Sequence, residues 1–434
     1  MTSECTSDNL DLNQEQRAQI VEDLQKQIKL AKKKANLMAN LSEGQKNFAL
    51  ELLERELRES TNYIIEANKK DLNDPYNADL SSALKDRLML NADRIMGMAN
   101  GVRQIMNMPD PVHARLDGWQ HPNGMTITKV RVPIGVIGII YEARPNVTTD
   151  AIALAIKSGN AVVLRGSRQA WNTNLAIMEV VNRALAQTQV DIDGIQYLKD
   201  QSREGCRVLL RAIDDINLVI PRGGEGLNKY VTDNTLVPVM GAGGGLCHTY
   251  IDQYADIEKA VAIALNAKAQ RPSVCNSCET ILIHKDIKDE VLDPLMDALS
   301  KANVEVFADQ EIATMFPYVN EATEADWATE YLDLKVSMKI VGSVEEAIEH
   351  INFYSTGHSE AIVTEDLTSA DYFKRMCASA CVYVNVSTRF TDGEEFGYGA
   401  EMGISTGKLH ARGPIGAKEL CTYKFIIEGN GQIR

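Results

Sequence analysis

At 434 residues the chain is long enough for two domains, and with 44% hydrophobic and 24% charged residues it can bury a sizeable core, which excludes disorder as its main state. Its 45 basic residues stand against 60 acidic ones, a formal charge of −15 that disfavours nucleic-acid or anionic-membrane partners and leaves any anionic ligand to local arginines. No apolar run reaches the roughly 18 residues of a membrane span, because the greasiest stretch, 133–164, is broken by Gly135, Gly138, Glu142, Arg144, Pro145 and Lys157.

Residues 1–14 form a polar tail with neither a basic nor an apolar leader region, so a cytoplasmic location is expected. From 15 to 107 apolar positions recur at helical spacing beneath long Lys/Glu/Gln faces, which predicts an α-rich preface. At 113–132 a Pro-Asn-Gly turn precedes the alternation of Met125, Ile127, Lys129 and Arg131 with Thr126, Thr128, Val130 and Val132. That pattern predicts a projecting β-hairpin, serving either as an ordinary edge ribbon or as an assembly element.

Strand and helix then alternate. Apolar runs at 134–141, 161–165, 217–221 and 236–240 read as strands, with helices at 147–159 (ended by Gly159), near 170–187 and from about 225. A second cycle places helices at 255–269, 286–301, 343–353 and 367–378 among strands at 279–284, 336–341, 360–364 and 381–386. The pattern predicts two α/β lobes with parallel sheets and a hinge near 241–256.

Three turns after strands are suited to anions, which sit at the carboxyl ends of strands and at helix N-termini. They are Arg165-Gly166-Ser167-Arg168, Arg222-Gly223-Gly224 and Gly243-Gly244-Gly245. None is a strict dinucleotide fingerprint, and a tight turn without ligand is the alternative for each glycine; together they favour a phosphate-bearing ligand. Arg165 and Arg168 point to a 2′-phosphorylated dinucleotide, since an unphosphorylated ribose is usually met by Asp or Glu; two solvated arginines are the plain alternative.

The eight cysteines are scattered as in a reduced cytosolic protein. Cys275 and Cys278 have metal spacing, but no second pair joins them, and no metal site is expected. Cys275 lies after a helix broken by Arg271-Pro272 and just before a strand, in a loop at the lobe junction. A nucleophile fits there, with Arg271 and loop amides to favour the thiolate. Cys206, Cys247, Cys377, Cys381 and Cys421 read as core residues, and Cys278 as structural or as a resolving thiol. Of the seven histidines, His248, His284 and His350 read as structural and His113 and His121 as hairpin residues; His358 and His410, in glycine-bearing loops, are the ones placed to touch substrate.

Five collinear blocks, 132–167, 218–227, 267–284, 344–366 and 382–414, resemble the gamma-glutamyl phosphate reductase family, a branch of the aldehyde dehydrogenase superfamily. The resemblance runs from about residue 15 to the C-terminus and is to the stand-alone form rather than to the form fused to a kinase. It implies an α/β, aldehyde-dehydrogenase-like fold of two doubly wound lobes plus an oligomerisation β-hairpin. The dinucleotide-binding domain would take 15–112 and 133–255, the catalytic domain 256–415, and a homo-oligomerising hairpin and strand 113–132 and 416–434. It further implies NADPH-dependent reduction of L-glutamate 5-phosphate to the 5-semialdehyde in proline biosynthesis, the substrate coming from a separate glutamate kinase. By position, Cys275 falls on the nucleophile and Asn146 on the oxyanion-hole amide. Arg165, Gly166 and Arg168 fall on the adenosine ribose site, Gly223 and Gly224 on the pyrophosphate turn, and Glu330 on a nicotinamide-ribose acid.

Hydrolytic relatives carry a glutamate base before the cysteine; 237–245 here has no carboxylate, which suits exchange with phosphate rather than water. Arg271, Arg389, His410 and Arg412 are the candidates for holding phosphate and α-carboxylate, or else for tying loops. The rival readings are a thiol-dependent dehydrogenase for another small substrate and a catalytically silent dinucleotide-binding assembly protein.

Overall fold

The computed structural model describes residues 14–200, 202–241 and 243–434, so the polar tail and Cys5 lie outside the described residues except for Gln14. The helical preface resolves into α1 (Gln14–Ala39), α2 (Glu43–Glu59), α3 (Thr61–Leu72), α4 (Ser82–Leu88) and α5 (Ala92–Asn107). Punctuation is local: the Ser42 hydroxyl and the Gln45 side chain close a reciprocal cap on α2, and Asn91 caps α5. Among the described residues no helix is long and apolar enough to cross a membrane.

The chain forms two compact units, one of 14–241 with Gly397–Gly403 and Ile415–Arg434, the other of 243–396 with Ile404–Pro414. In the first, β1 (Arg115–Gln120) and β2 (Thr126–Pro133) make the expected hairpin, and the C-terminal strand Cys421–Glu428 pairs antiparallel with β2 from Cys421↔Pro133 to Glu428↔Thr126. Gly124 turns the hairpin at φ 95°, a conformation that favours glycine. Next come β3 (Val136–Tyr141), β4 (Ala161–Gly166), β5 (Ile195–Tyr197) and β6 (Leu218–Arg222), parallel in the order β5-β4-β3-β6. The chain winds outward from β3 to β5 and then returns to the other side of β3, so the switch point lies at the carboxyl ends of β3 and β6. Leu24, Ile28 and Ala31 of α1 pack with Val136, Ile140, Val163 and Leu209 in one buried cluster. Helix α6 (Asn146–Ser158) ends at Gly159 in the left-handed region, as its sequence predicts.

In the second unit β7 (Cys247–Ile251), β8 (Cys278–His284), β9 (Glu305–Ala308), β10 (Asn320–Glu321), β11 (Lys335–Val341), β12 (Ser359–Val363) and β13 (Cys381–Val384) form one parallel sheet, order β10-β9-β11-β8-β7-β12-β13. Both faces are buried. Ile251, Ile281 and Ile283 enter one core with the helices Ile257–Ala269 and Lys288–Lys301, whereas Tyr250, Leu282 and Ile362 enter another with Val344–Tyr354 and Leu367–Met376. Three features differ from the sequence reading. The run 236–240 contributes only a bridge, Val219↔Val239, rather than a full strand, and Gly243–Gly245 leads into β7. Strand β7 occupies part of the stretch 241–256 read as a hinge, and the units divide at Gly241, the first residue of that stretch. Strands β5, β9 and β10 and the helix Arg203–Arg211 are additional.

Candidate active site

In the first unit the residues assigned to cofactor lie at the carboxyl ends of β4 and β6, the strands on either side of β3. Arg165 and Gly166 end β4, and Arg168 opens the one-turn helix Arg168–Ala170 capped by Ser167. Arg165 Nη2 donates to the Ser202 carbonyl at 2.9 Å, and the Arg168 guanidinium lies 4.2 Å from the centre of the Tyr76 ring. Gly166 has a packing reason as well: a Cβ there would stand 2.5 Å from Asn174 Nδ2, in a buried chain running from Tyr141 OH through Thr148 and Asn174 to Tyr197 OH.

Gly223 and Gly224 follow β6, and Gly224 caps the helix Glu225–Asn234. A Cβ on Gly223 would fall 2.5 Å from the Glu142 carboxyl carbon, and Gly224 N–H donates to Glu142 Oε2 at 3.0 Å. The turn thus already accepts an anionic oxygen, the chemistry a pyrophosphate needs. With two guanidinium groups at the end of β4, the residues present fit a phosphorylated dinucleotide. Asn146 opens α6 after β3; its exposed carboxamide donates to Asp150 Oδ2 at 3.1 Å.

In the second unit Cys275 is partly exposed in the loop between Ile257–Ala269 and β8, at the amino end of the strand. Gly245 packs directly on it: a Cβ there would lie 1.6 Å from the Cys275 carbonyl oxygen. Glu330 Oε1 accepts the Gly245 N–H at 2.7 Å, and Thr356 Oγ1 accepts that of Leu246 at 3.1 Å. Gly245 is therefore a platform for the cysteine loop, and its N–H and that of Leu246 are already engaged within the protein.

Asn276 stitches the loop to 387–392. Its Nδ2 donates to the carbonyls of Arg389 (3.2 Å) and Thr391 (2.9 Å), and its own carbonyl accepts from Thr388 Oγ1 at 2.8 Å. Arg389 donates through Nε to Gln270 Oε1 at 2.9 Å and through Nη1 to Asn276 Oδ1. Burial, then the like charge of Arg271, pull its guanidinium below the ordinary arginine range, while Asp392 and Cys275 act in the other direction. Arg271, Arg389 and Cys275 thus share one electrostatic neighbourhood, with positive potential beside the thiol.

Arg412 Nη2 donates to the Ala378 carbonyl at 2.9 Å, and His410 sits exposed with a left-handed φ of 65°. His358, the other histidine read as placed for substrate, is fully buried: Nδ1 lies 2.8 Å from Ser359 Oγ and 3.6 Å from Cys247 Sγ, and burial depresses its pKa to about 4. His248, His284 and His350 are buried as expected, and among the described cysteines no disulfide forms. Cys247, sealed in β7 with Sγ 3.2 Å from the Cys275 carbonyl, is held protonated by burial. Sequence reasoning missed Glu142, Asp150, Asn276 and the platform role of Gly245; of these only Asp150, one turn along a predicted helix from Asn146, carried a local signal.

The aldehyde dehydrogenase family model matches residues 13–340. A gamma-glutamyl phosphate reductase of Thermoanaerobacter pseudethanolicus is 48% identical over 94% of this chain and 98% of its own, and one from a Nitratiruptor species is 49% identical over 94% and 99%. The chain belongs to the gamma-glutamyl phosphate reductase branch of the aldehyde dehydrogenase family. The crystal structure of the gamma-glutamyl phosphate reductase of Thermotoga maritima superimposes with a TM-score of 0.92 at 43% identity, covering 95% of this chain and 99% of that one. An acetylating aldehyde dehydrogenase of Geobacillus thermoglucosidasius, 17% identical with a TM-score of 0.68, shares the fold. Membership in the gamma-glutamyl phosphate reductase branch agrees with the blocks quoted from the sequence.

Proposed function

We propose that this chain reduces L-glutamate 5-phosphate to L-glutamate 5-semialdehyde and phosphate with NADPH, through a thioester on Cys275, in proline biosynthesis. The observation that carries the reading is a partly exposed thiol in the field of Arg271 and Arg389, on a glycine platform in a chain of this branch. The Cys275 thiolate attacks the acyl carbonyl, Asn146 Nδ2 and the Cys275 N–H receive the oxyanion, and phosphate departs with the bonding electrons. NADPH, when bound, supplies the hydride that takes the thioester to a thiohemiacetal. Collapse of that adduct returns the thiolate and releases the aldehyde. Arg165 and Arg168 hold the 2′-phosphate end and Gly223–Gly224 the pyrophosphate; Arg271 and Arg389 receive the substrate's anionic groups, with His410 and Arg412 as further contacts.

The run 237–245 offers no carboxylate to activate water, and Glu330, brought to it by the fold, has Oε1 engaged by Gly245 N–H. Such a site favours phosphate over water as the partner of the thioester. We place the protein in the cytoplasm, supplied by a separate glutamate kinase, and assembled as a homo-oligomer through the β1–β2 ribbon and the C-terminal strand. The test is phosphate-dependent oxidation of glutamate 5-semialdehyde with NADP, run beside other aldehydes. Cys275→Ser is expected to abolish turnover and leave NADPH binding intact; substantial residual activity would overturn the thioester route, and preference for another aldehyde would overturn the substrate.

A further inference from the structure

Asn146 and Asp150 face each other across one turn of α6, with Nδ2 3.1 Å from Oδ2. On an exposed helix such a pair is a minor stabiliser. Here the acid is half-buried, and burial, opposed by the Asn146 bond and the Arg222 charge, raises its pKa to about 6. Keeping a carboxylate there carries a desolvation cost that a routine surface pair does not explain.

The surroundings are defined. Arg222, at the end of β6, is the charge that acts on the carboxyl, and it pairs with Glu401 at 3.8 Å. Helix α5 turns Gly101 toward it, so that a Cβ there would stand 3.9 Å from Oδ1. A carboxamide presents an oxygen and an NH2 group of nearly equal size, and only its hydrogen-bond partners decide which end points where. An ionised carboxylate can only accept, so it selects the NH2 end. One N–H is then held by Asp150, and the second is fixed in direction. A protonated Asp150 can instead donate to the amide oxygen, making the reversed amide competitive.

We infer that Asp150 is a positioning residue that fixes the orientation of the Asn146 carboxamide, so that its second N–H and not its oxygen meets the developing oxyanion. The inference rests on the proposed oxyanion role of Asn146. It is tested in the direction of semialdehyde oxidation, with saturating phosphate and NADP, across pH 5 to 9 (roughly one charge state of Asp150 to the other). D150N, in which the partner amide donates or accepts, is expected to lower kcat about 10- to 100-fold near neutral pH, as a misdirected catalytic group does. The KM for NADP stays within about 2-fold and the acid limb of kcat near pH 6 disappears. A D150N enzyme with wild-type kcat and an unchanged acid limb overturns the inference.

N146A separates the two ideas. If it retains full activity the oxyanion assignment itself fails; if it is crippled while D150N is normal, only the role of Asp150 fails. Because Asp150 acts through Asn146, N146A is also expected to lose the acid limb, a readout independent of whether D150N folds. N146A/D150N is expected to be no slower than N146A, and a multiplicative further loss shows that Asp150 acts elsewhere.

Discussion

A methyl group at Gly245 would land 1.6 Å from the Cys275 carbonyl oxygen and 2.5 Å from its Cα, both backbone atoms with no side-chain freedom to yield. The cysteine loop must move for it to fit, and a displacement of about 1 Å at a reacting group costs on the order of 100-fold in rate. Gly245→Ala is therefore expected to lose about 100-fold or more in kcat/KM, with slowed alkylation of Cys275, while the far-ultraviolet circular dichroism is retained. Wild-type rates of both reactions would remove the platform from the account. The glycine run was plain in the sequence, yet its use was not: turn chemistry is local, whereas what a glycine makes room for comes from a distant segment. The partly exposed loop that carries Cys275 was legible for the opposite reason, since the helix break at Arg271-Pro272 and the following apolar strand are neighbours in the chain.

Elements behind the cysteine loop are held by buried charge. Lys268, on the helix Ile257–Ala269, and Glu279, on β8, are both inaccessible and 2.7 Å apart, with Glu279 Oε1 also accepting the Leu332 N–H at 3.4 Å. Removing one partner leaves the other buried and uncompensated, so Glu279→Gln is expected to cost about 3–5 kcal/mol in urea unfolding, whereas Lys268→Met with Glu279→Leu is nearly neutral. Equal losses in the two variants would contradict that reasoning. Among the strands, β8 was legible as an apolar run, but β7, Cys-His-Thr-Tyr-Ile, was not. Its polar members are satisfied out of sequence, as where Glu360 Oε2 accepts from His248 N at 2.8 Å and lies 2.9 Å from its Nδ1. The same region sets an acid limit. Burial, then the charges of His248 and Lys339, depress His350 to about 3. Between about pH 6.5 and 3 the unfolded chain binds a proton that the native state refuses, so this contribution is full above about 6.5 and is lost as pH falls through the window. His350→Leu is expected to flatten the stability–pH curve there; an unchanged slope assigns the acid sensitivity to other groups.

Across the whole molecule, the two α/β units follow from strand–helix alternation, which is why the lobes and the hinge stretch at whose first residue they divide were legible, while the strand β7 inside that stretch was not. The ribbon formed by β1, β2 and the C-terminal strand was half legible: alternation gave β2, but the partnership with residues near the C-terminus has no local signature. Trp119, Ile127 and Ile427 align across its register, with Phe425 and Tyr423 along the same face. Trp119, Tyr423, Phe425 and Ile427 are each 46–56% exposed, more contiguous aromatic and aliphatic surface than scattered residues present. Among the described residues the C-terminal strand pairs only with β2, leaving its outer edge open to another strand. A second copy of this chain is the occupant we assign, and the wild-type protein is therefore expected to sediment as an oligomer. Phe425→Lys with Ile427→Asp should shift it to a smaller species whose circular dichroism and NADPH binding are retained, because these side chains project from the ribbon and do not enter the two sheets. A wild-type monomer at assay concentrations, or an assembly indifferent to both substitutions, would mean that this face serves something else.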